Sequence, residues 1–87
     1  MKVTDIKTET IKIFQYALID IETGEADMIE FTNIPKEIAV NLINQQIDGF
    51  NLVGAVKSVN IINTNKVGTW IDVETTNHIL KFCLYSI

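Results

Sequence analysis

The sequence predicts a single two-layer α+β domain spanning residues 1–87, with one helix packed on a mainly antiparallel sheet in the order ββαβββ. Three observations lead there. One amphipathic stretch, about residues 35–48, is bracketed by a proline and a glycine. The segments on either side are rich in β-branched and aromatic residues, and short polar breaks of hairpin length divide them. A chain of 87 residues holds one core and not two, so any function sits on that core or across an oligomer.

Residues 1–9 offer only Val3 and Ile6 as inward candidates and read as an arm or a short edge strand. TIKIFQYALIDIE, residues 10–22, is strand-like and too apolar on both faces for an exposed sheet face. MIEFTNI, residues 28–34, alternates well enough to be its partner. Between them, Glu22-Thr23-Gly24-Glu25 places Gly24 where a short loop needs a left-handed residue, which makes 10–34 a β-hairpin.

The helix is the best-marked element. Asn33 or Ile34 can cap it, Pro35 suits its first turn, Glu37 lies near the positive end of its dipole, and Asp48-Gly49 can close it. Ile34, Ile38, Leu42 and Ala39, Ile43, Ile47 fall four apart on adjacent rows and make one apolar stripe. Asn41, Asn44, Gln45 and Asp48 occupy the opposite side. Three more strands follow at about 52–62, 66–74 and 78–86, separated by Asn63-Thr64-Asn65 and Thr75-Thr76-Asn77. In the second of these, Val67, Thr69, Ile71 and Val73 alternate against Gly68, Trp70, Asp72 and Glu74, which sets Trp70 on the polar side.

Composition narrows the function classes. The chain is 47% hydrophobic with mean hydropathy +0.21, high for a small domain with little interior, and this favours self-association. No apolar run approaches the roughly 18 residues of a membrane span, and MKVTDIKTETIK carries charges where a signal peptide would be apolar. A soluble, unprocessed, cytoplasmic protein without a membrane partner is the expectation. Cys83, the single cysteine, lies in the apolar run ILKFCLYSI and reads as a buried small hydrophobe in a reducing compartment. Net charge is −4, and all seven basic residues are lysine. Without the guanidinium fork that grips phosphate and guanine, direct nucleic-acid binding is disfavoured. Abundant Ile and Asn beside Lys without Arg match AT-rich codons, as in a low-GC bacterium or one of its phages.

Candidate chemistry is sparse. DIETGEAD, residues 20–27, fails as an EF-hand loop because Gly24 falls at its fifth position and Phe31 at its twelfth. Asp20, Glu22, Glu25 and Asp27 fit a solvated hairpin tip better than a looser divalent-cation site. With a turn at 75–77, Glu74 and His78 would stand nearly opposite, so Asp72, Glu74 and His78 form the one candidate for metal-dependent hydrolysis. A surface ion pair is the simpler account, since there is no second histidine and no suitably spaced cation. Cys83 and His78 lie an odd number of positions apart on one strand, which points them to opposite faces. No glycine-rich phosphate loop is present. The expectation is therefore no enzyme, no cofactor and no metal.

Two surfaces remain for a protein partner. Trp70, Tyr16 and Tyr85 offer an aromatic face, with Phe14 also available. Flanked by Asp72 and Glu74 rather than by basic residues, it suits a protein more than a nucleic acid. The acidic hairpin Asp20, Glu22, Glu25, Asp27 and Glu30 is unneutralised, with no basic residue between Lys12 and Lys36. These features point to a non-enzymatic, homodimeric protein–protein interaction module. A phage or mobile-element inhibitor of a host protein or defence nuclease, an anti-CRISPR-like role, is a concrete case. The alternatives are a small structural or assembly protein and the metal-dependent hydrolase just described.

Overall fold

β1 (Thr10–Asp20) and β2 (Ala26–Pro35) form the first hairpin in the computed structural model, which describes residues 10–64 and 68–85. α1 (Lys36–Leu52) follows at once, then β3 (Val56–Thr64), β4 (Gly68–Thr75) and β5 (His78–Tyr85). All five strands join one sheet in the order β2-β1-β5-β4-β3, with every neighbouring pair antiparallel. The α+β class and the ββαβββ order are those read from the sequence. The expected arm at 1–9 lies outside the described residues, as do the outer ends of the expected strands at 66–67 and 86. Among the described residues no helix is long and apolar enough to cross a membrane.

The strands that are apolar on both faces, β1 and β5, take the middle of the sheet, where neighbours on each side shield them. The core lies under the helix. Ile71 and Val73 of β4 and Leu80, Phe82 and Leu84 of β5 alternate into it beside Phe14 of β1, and α1 lays Ala39, Ile43 and Ile47 across them. Each large side chain buried this way contributes roughly 1.5–3 kcal/mol.

Strand alternation breaks twice, each time to bring one more apolar residue inward. Ile11 and Phe14, three apart on β1, are both buried, and opposite them stand Ile34 and Phe31. The hairpin changes face between these pairs, where Asn33 adopts a φ of 53° that a short polar side chain tolerates. On β3 a bulge between Val56 and Ser58 lets both Val56 and Val59 pack against the core.

The helix boundaries differ from the expected ones at both ends. Asn33, Ile34 and Pro35 belong to β2, and Pro35 sits at the N-cap with no side-chain cap. At the other end the helix passes through Asp48-Gly49 for another turn. That turn carries Phe50 onto the core and against the His78 ring, 5.9 Å away. The stop is Gly54, at φ 67°, whose N–H donates to the Asn51 carbonyl at 2.9 Å while that of Ala55 donates to the Phe50 carbonyl at 3.0 Å. The start of β3 moves from 52 to 56 as a result.

Glycines 49 and 54 should therefore respond oppositely to alanine. A Cβ at Gly49 meets nothing within 4 Å, so Gly49→Ala is expected to stabilise the fold by about 0.5–1 kcal/mol. Gly54→Ala must hold a left-handed residue and should cost about 1–2 kcal/mol. Urea denaturation of the two variants checks both signs.

Candidate functional site

A single helix covers one face of the sheet, and the opposite face has no second layer among the described residues. The strand registers order that outer face into rows. Ile13, Tyr85 and Gly68 form one; Gln15, Cys83, Trp70 and Ile62 the next; then Ala17, Lys81, Asp72 and Asn60; and last Ile19, Ile79, Glu74 and Ser58. The first two rows are the apolar end. Trp70 and Tyr85 meet edge to face, with ring centroids 5.5 Å apart and planes at 89°. Ile13 and Ile62 flank them at 37% and 46% exposure.

Gly68 fixes how the indole lies. A Cβ there would come 3.0 Å from the Leu84 carbonyl oxygen and 3.3 Å from Trp70 Cη2, so the ring folds back along the strand over the missing side chain. Below the aromatic pair, a shallow depression of about 280 Å³ is lined by Ser58, Asn60, Asp72, Glu74, Ile79 and Lys81. Cys83 sits between Gln15 and Trp70. Burial pushes its thiol pKa up, the Asp72 charge adds to this, and Lys81 acts the other way. A thiol shifted in that direction stays protonated and is a poor nucleophile.

Tyr16 does not belong to this aromatic face. It points under the helix, stacked on Phe82 at 4.7 Å and 10°, and its hydroxyl donates to Gln46 Oε1 at 3.0 Å. Burial raises its phenol pKa. Phe14 is on the same inner side, fully buried. Of the three aromatics named from the sequence, Trp70 and Tyr85 stand together and Tyr16 lies across the sheet.

The acidic hairpin also divides. Asp20 Oδ1 accepts from the backbone N–H of Glu22 at 2.9 Å and of Thr23 at 3.1 Å, while Gly24, at φ 77°, donates to the Asp20 carbonyl at 2.8 Å. Its carboxylate therefore holds the turn. The N–H of Thr23 is the largest influence keeping Asp20 below the usual aspartate pKa; that of Glu22 and the nearby His78 assist, against some desolvation. Glu22, Glu25 and Asp27 remain exposed around the tip. Glu30 lies further down β2, where Gln15 Nε2 donates to it at 2.8 Å. The tip is tied to the β4–β5 turn by Ile21 N–H donating to the Asn77 carbonyl at 3.0 Å. An open cleft of about 410 Å³ separates them, lined by Asp20, Ile21, Glu22, Thr76, Asn77 and His78.

Asp72, Glu74 and His78 are not brought together. The β4–β5 turn is Thr76-Asn77, tightened by the Thr75 hydroxyl, which accepts from His78 N–H at 3.0 Å and donates to the His78 carbonyl at 2.9 Å. Glu74 therefore faces Ile79 instead of His78. A one-residue change of register reverses every side chain, so His78 turns toward Phe50 on the helix side while both carboxylates stay on the outer face. Among the described residues, no group of three or more His, Cys, Asp and Glu side chains is placed to hold a metal ion. Cys83 and His78 lie on opposite faces, as the odd spacing predicts.

Compared with protein-family models, curated proteins and solved structures, the chain matches none. The site rests on its own geometry. Sequence reasoning missed Ile13, Ile62 and Lys81 as members of the outer face, and missed the seat that Gly68 makes for Trp70. A glycine two residues before a tryptophan in one strand was the available signal.

Gly68→Ala should displace the indole, lower the melting temperature and alter the near-ultraviolet circular dichroism of Trp70, all measurable on one sample. The depressed Asp20 pKa gives a second expectation. Its contribution to stability is complete above the ordinary aspartate pKa and fades as pH falls from there through the lowered folded value. The stability gap between wild type and Asp20→Ala, followed by denaturation across acidic pH, should narrow in that window. A gap that widened on acidification would contradict it.

Proposed function

We propose that this chain is a non-enzymatic protein-binding module that associates with itself and docks on a second protein. The observation that carries this reading is the outer sheet face, without a second layer among the described residues, on which Trp70 and Tyr85 are set edge to face between Ile13 and Ile62. Half-buried aromatics on a rigid sheet, as Trp70 and Tyr85 are, anchor protein interfaces, because they bury large areas at little entropic cost. The surrounding charges, Asp72 and Glu74 with Lys81, give no basic field to attract a phosphate backbone. The position of His78 across the sheet from Asp72 and Glu74 favours this reading over a metal-dependent hydrolase built on those three residues.

The acidic tip supplies the contact to a second protein. With Asp20 engaged in the turn, Glu22, Glu25 and Asp27 are the charges free to meet a basic surface, and a nucleic-acid-binding surface on a host enzyme or defence nuclease is such a target. An inhibitor carried by a phage or mobile element would act in this way, by occupying the surface its target uses for nucleic acid. One observation favours a structural or assembly role as a second reading. Edge strand β2, which has no strand on its outer side among the described residues, exposes Met28, Ile29 and Phe31, the first at 67%, and an edge of this kind templates strand addition.

Affinity capture from the native host with wild-type and variant baits tests the tip. Reversal of Glu22, Glu25 and Asp27 to lysine should weaken capture of the specific partner by at least about tenfold, equivalent to ~1.4 kcal/mol. It should also remove most of the salt dependence of binding. Identical capture by both baits would discard the acidic-tip mechanism, and growth of long concentration-dependent polymers would favour assembly through β2.

A further inference from the structure

We propose that the outer sheet face is covered by a second copy of this chain, packed face to face about a two-fold axis that runs along the strands between β5 and β4. This rests on the self-association in the proposed function and names the surface that carries it. The charges select the axis. Lys81 on β5 and Asp72 on β4 are cross-strand neighbours in the middle of the face. A two-fold between those strands sets each β5 over the partner copy's β4, so Lys81 of each copy meets Asp72 of the other. Four charges then form a ring in which every neighbour has the opposite sign. An axis through β5 itself would place Lys81 over Lys81, and one through β4 would place Asp72 over Asp72.

The same operation matches the apolar rows. Trp70 of each copy comes over Cys83 of the other, Gln15 over Ile62, and Tyr85 over Gly68, where the Trp70 indole lies across the strand. Glu74 falls one row further out, at the rim. Four strands of each sheet overlap. At about 4.8 Å between strands and about 3.3 Å per residue along them, the shared face measures about 19 Å by about 26 Å. That is on the order of 500 Å² per copy and 1,000 Å² in all, the lower bound for a specific interface. Stacking at about 10 Å with strand directions within about 30° of each other is the usual geometry of two packed sheets, and this axis falls within it.

The test is sedimentation equilibrium on wild type, Lys81→Asp, Asp72→Lys and an equimolar mixture of the two variants, each confirmed folded by a thermal melt. Wild type should form a dimer. Each variant alone stacks like charges and should dimerise at least about tenfold more weakly. The mixture should recover a heterodimer, because the carboxylate introduced at position 81 of one chain then meets the ammonium introduced at position 72 of the other. No effect within a chain can produce that recovery. Wild type monomeric at every concentration, single variants that dimerise as wild type does, or a mixture that stays monomeric would each overturn the proposal. Lys81 and Asp72 are intact in the hairpin-tip variants, so loss of partner capture with the dimer preserved fails only the docking reading.

Discussion

The contact on which the rest depends is the seating of Ala39, Ile43 and Ile47 of α1 against Ile71, Val73, Leu80 and Phe82 of the sheet. It draws the even positions of β5 and the odd positions of β4 inward, which fixes what every other side chain on those strands must face. One helix covers one side of a five-stranded sheet. Some of the remaining apolar residues of so hydrophobic a chain are left on the other side, where Trp70, Tyr85, Cys83, Ile13 and Ile62 gather.

How legible this was in the sequence depended on how strongly each local signal was backed by burial. Gly24 at the hairpin turn and the alternation of β4 each had one reading, and the structure has both, whereas the stripe of α1 holds along Ala39, Ile43 and Ile47 but not at Ile34, which belongs to β2, nor at Ile38, which is exposed. The helix end was different. Gly49 looked like a stop, but glycine inside a helix costs only about 1 kcal/mol, less than the gain from carrying Phe50 onto the core. The chain therefore carries its helix on to Leu52 and turns away at Gly54, which is left-handed.

The site was legible in part for a related reason. β1 is apolar on both faces, so its pattern does not say which parity turns inward, and Tyr16 was placed beside Trp70. Its stacking on Phe82 and its hydrogen bond to Gln46 decide the matter. The pairing of Glu74 with His78 failed by a single residue of register, because a two-residue turn closed by the Thr75 hydroxyl replaces a three-residue one. In a sheet with distinct faces that single residue separates a carboxylate–imidazole pair by the thickness of the sheet. The hairpin tip was legible as a turn, while the use of Asp20 to hold it emerges only from its backbone contacts.

The central claim is that the outer sheet face, opposite the helix, is buried against protein in solution. Trp70 is the only tryptophan, and it sits in the middle of that face, so its fluorescence reports on the claim alone. Acrylamide quenching of Trp70, followed on dilution from high micromolar to low nanomolar protein, is the most direct measurement. A shielded indole is expected when the protein is concentrated, with a rise in quenching and a red shift in emission as copies separate. One concentration-independent value, with the indole open to quencher throughout, would contradict it.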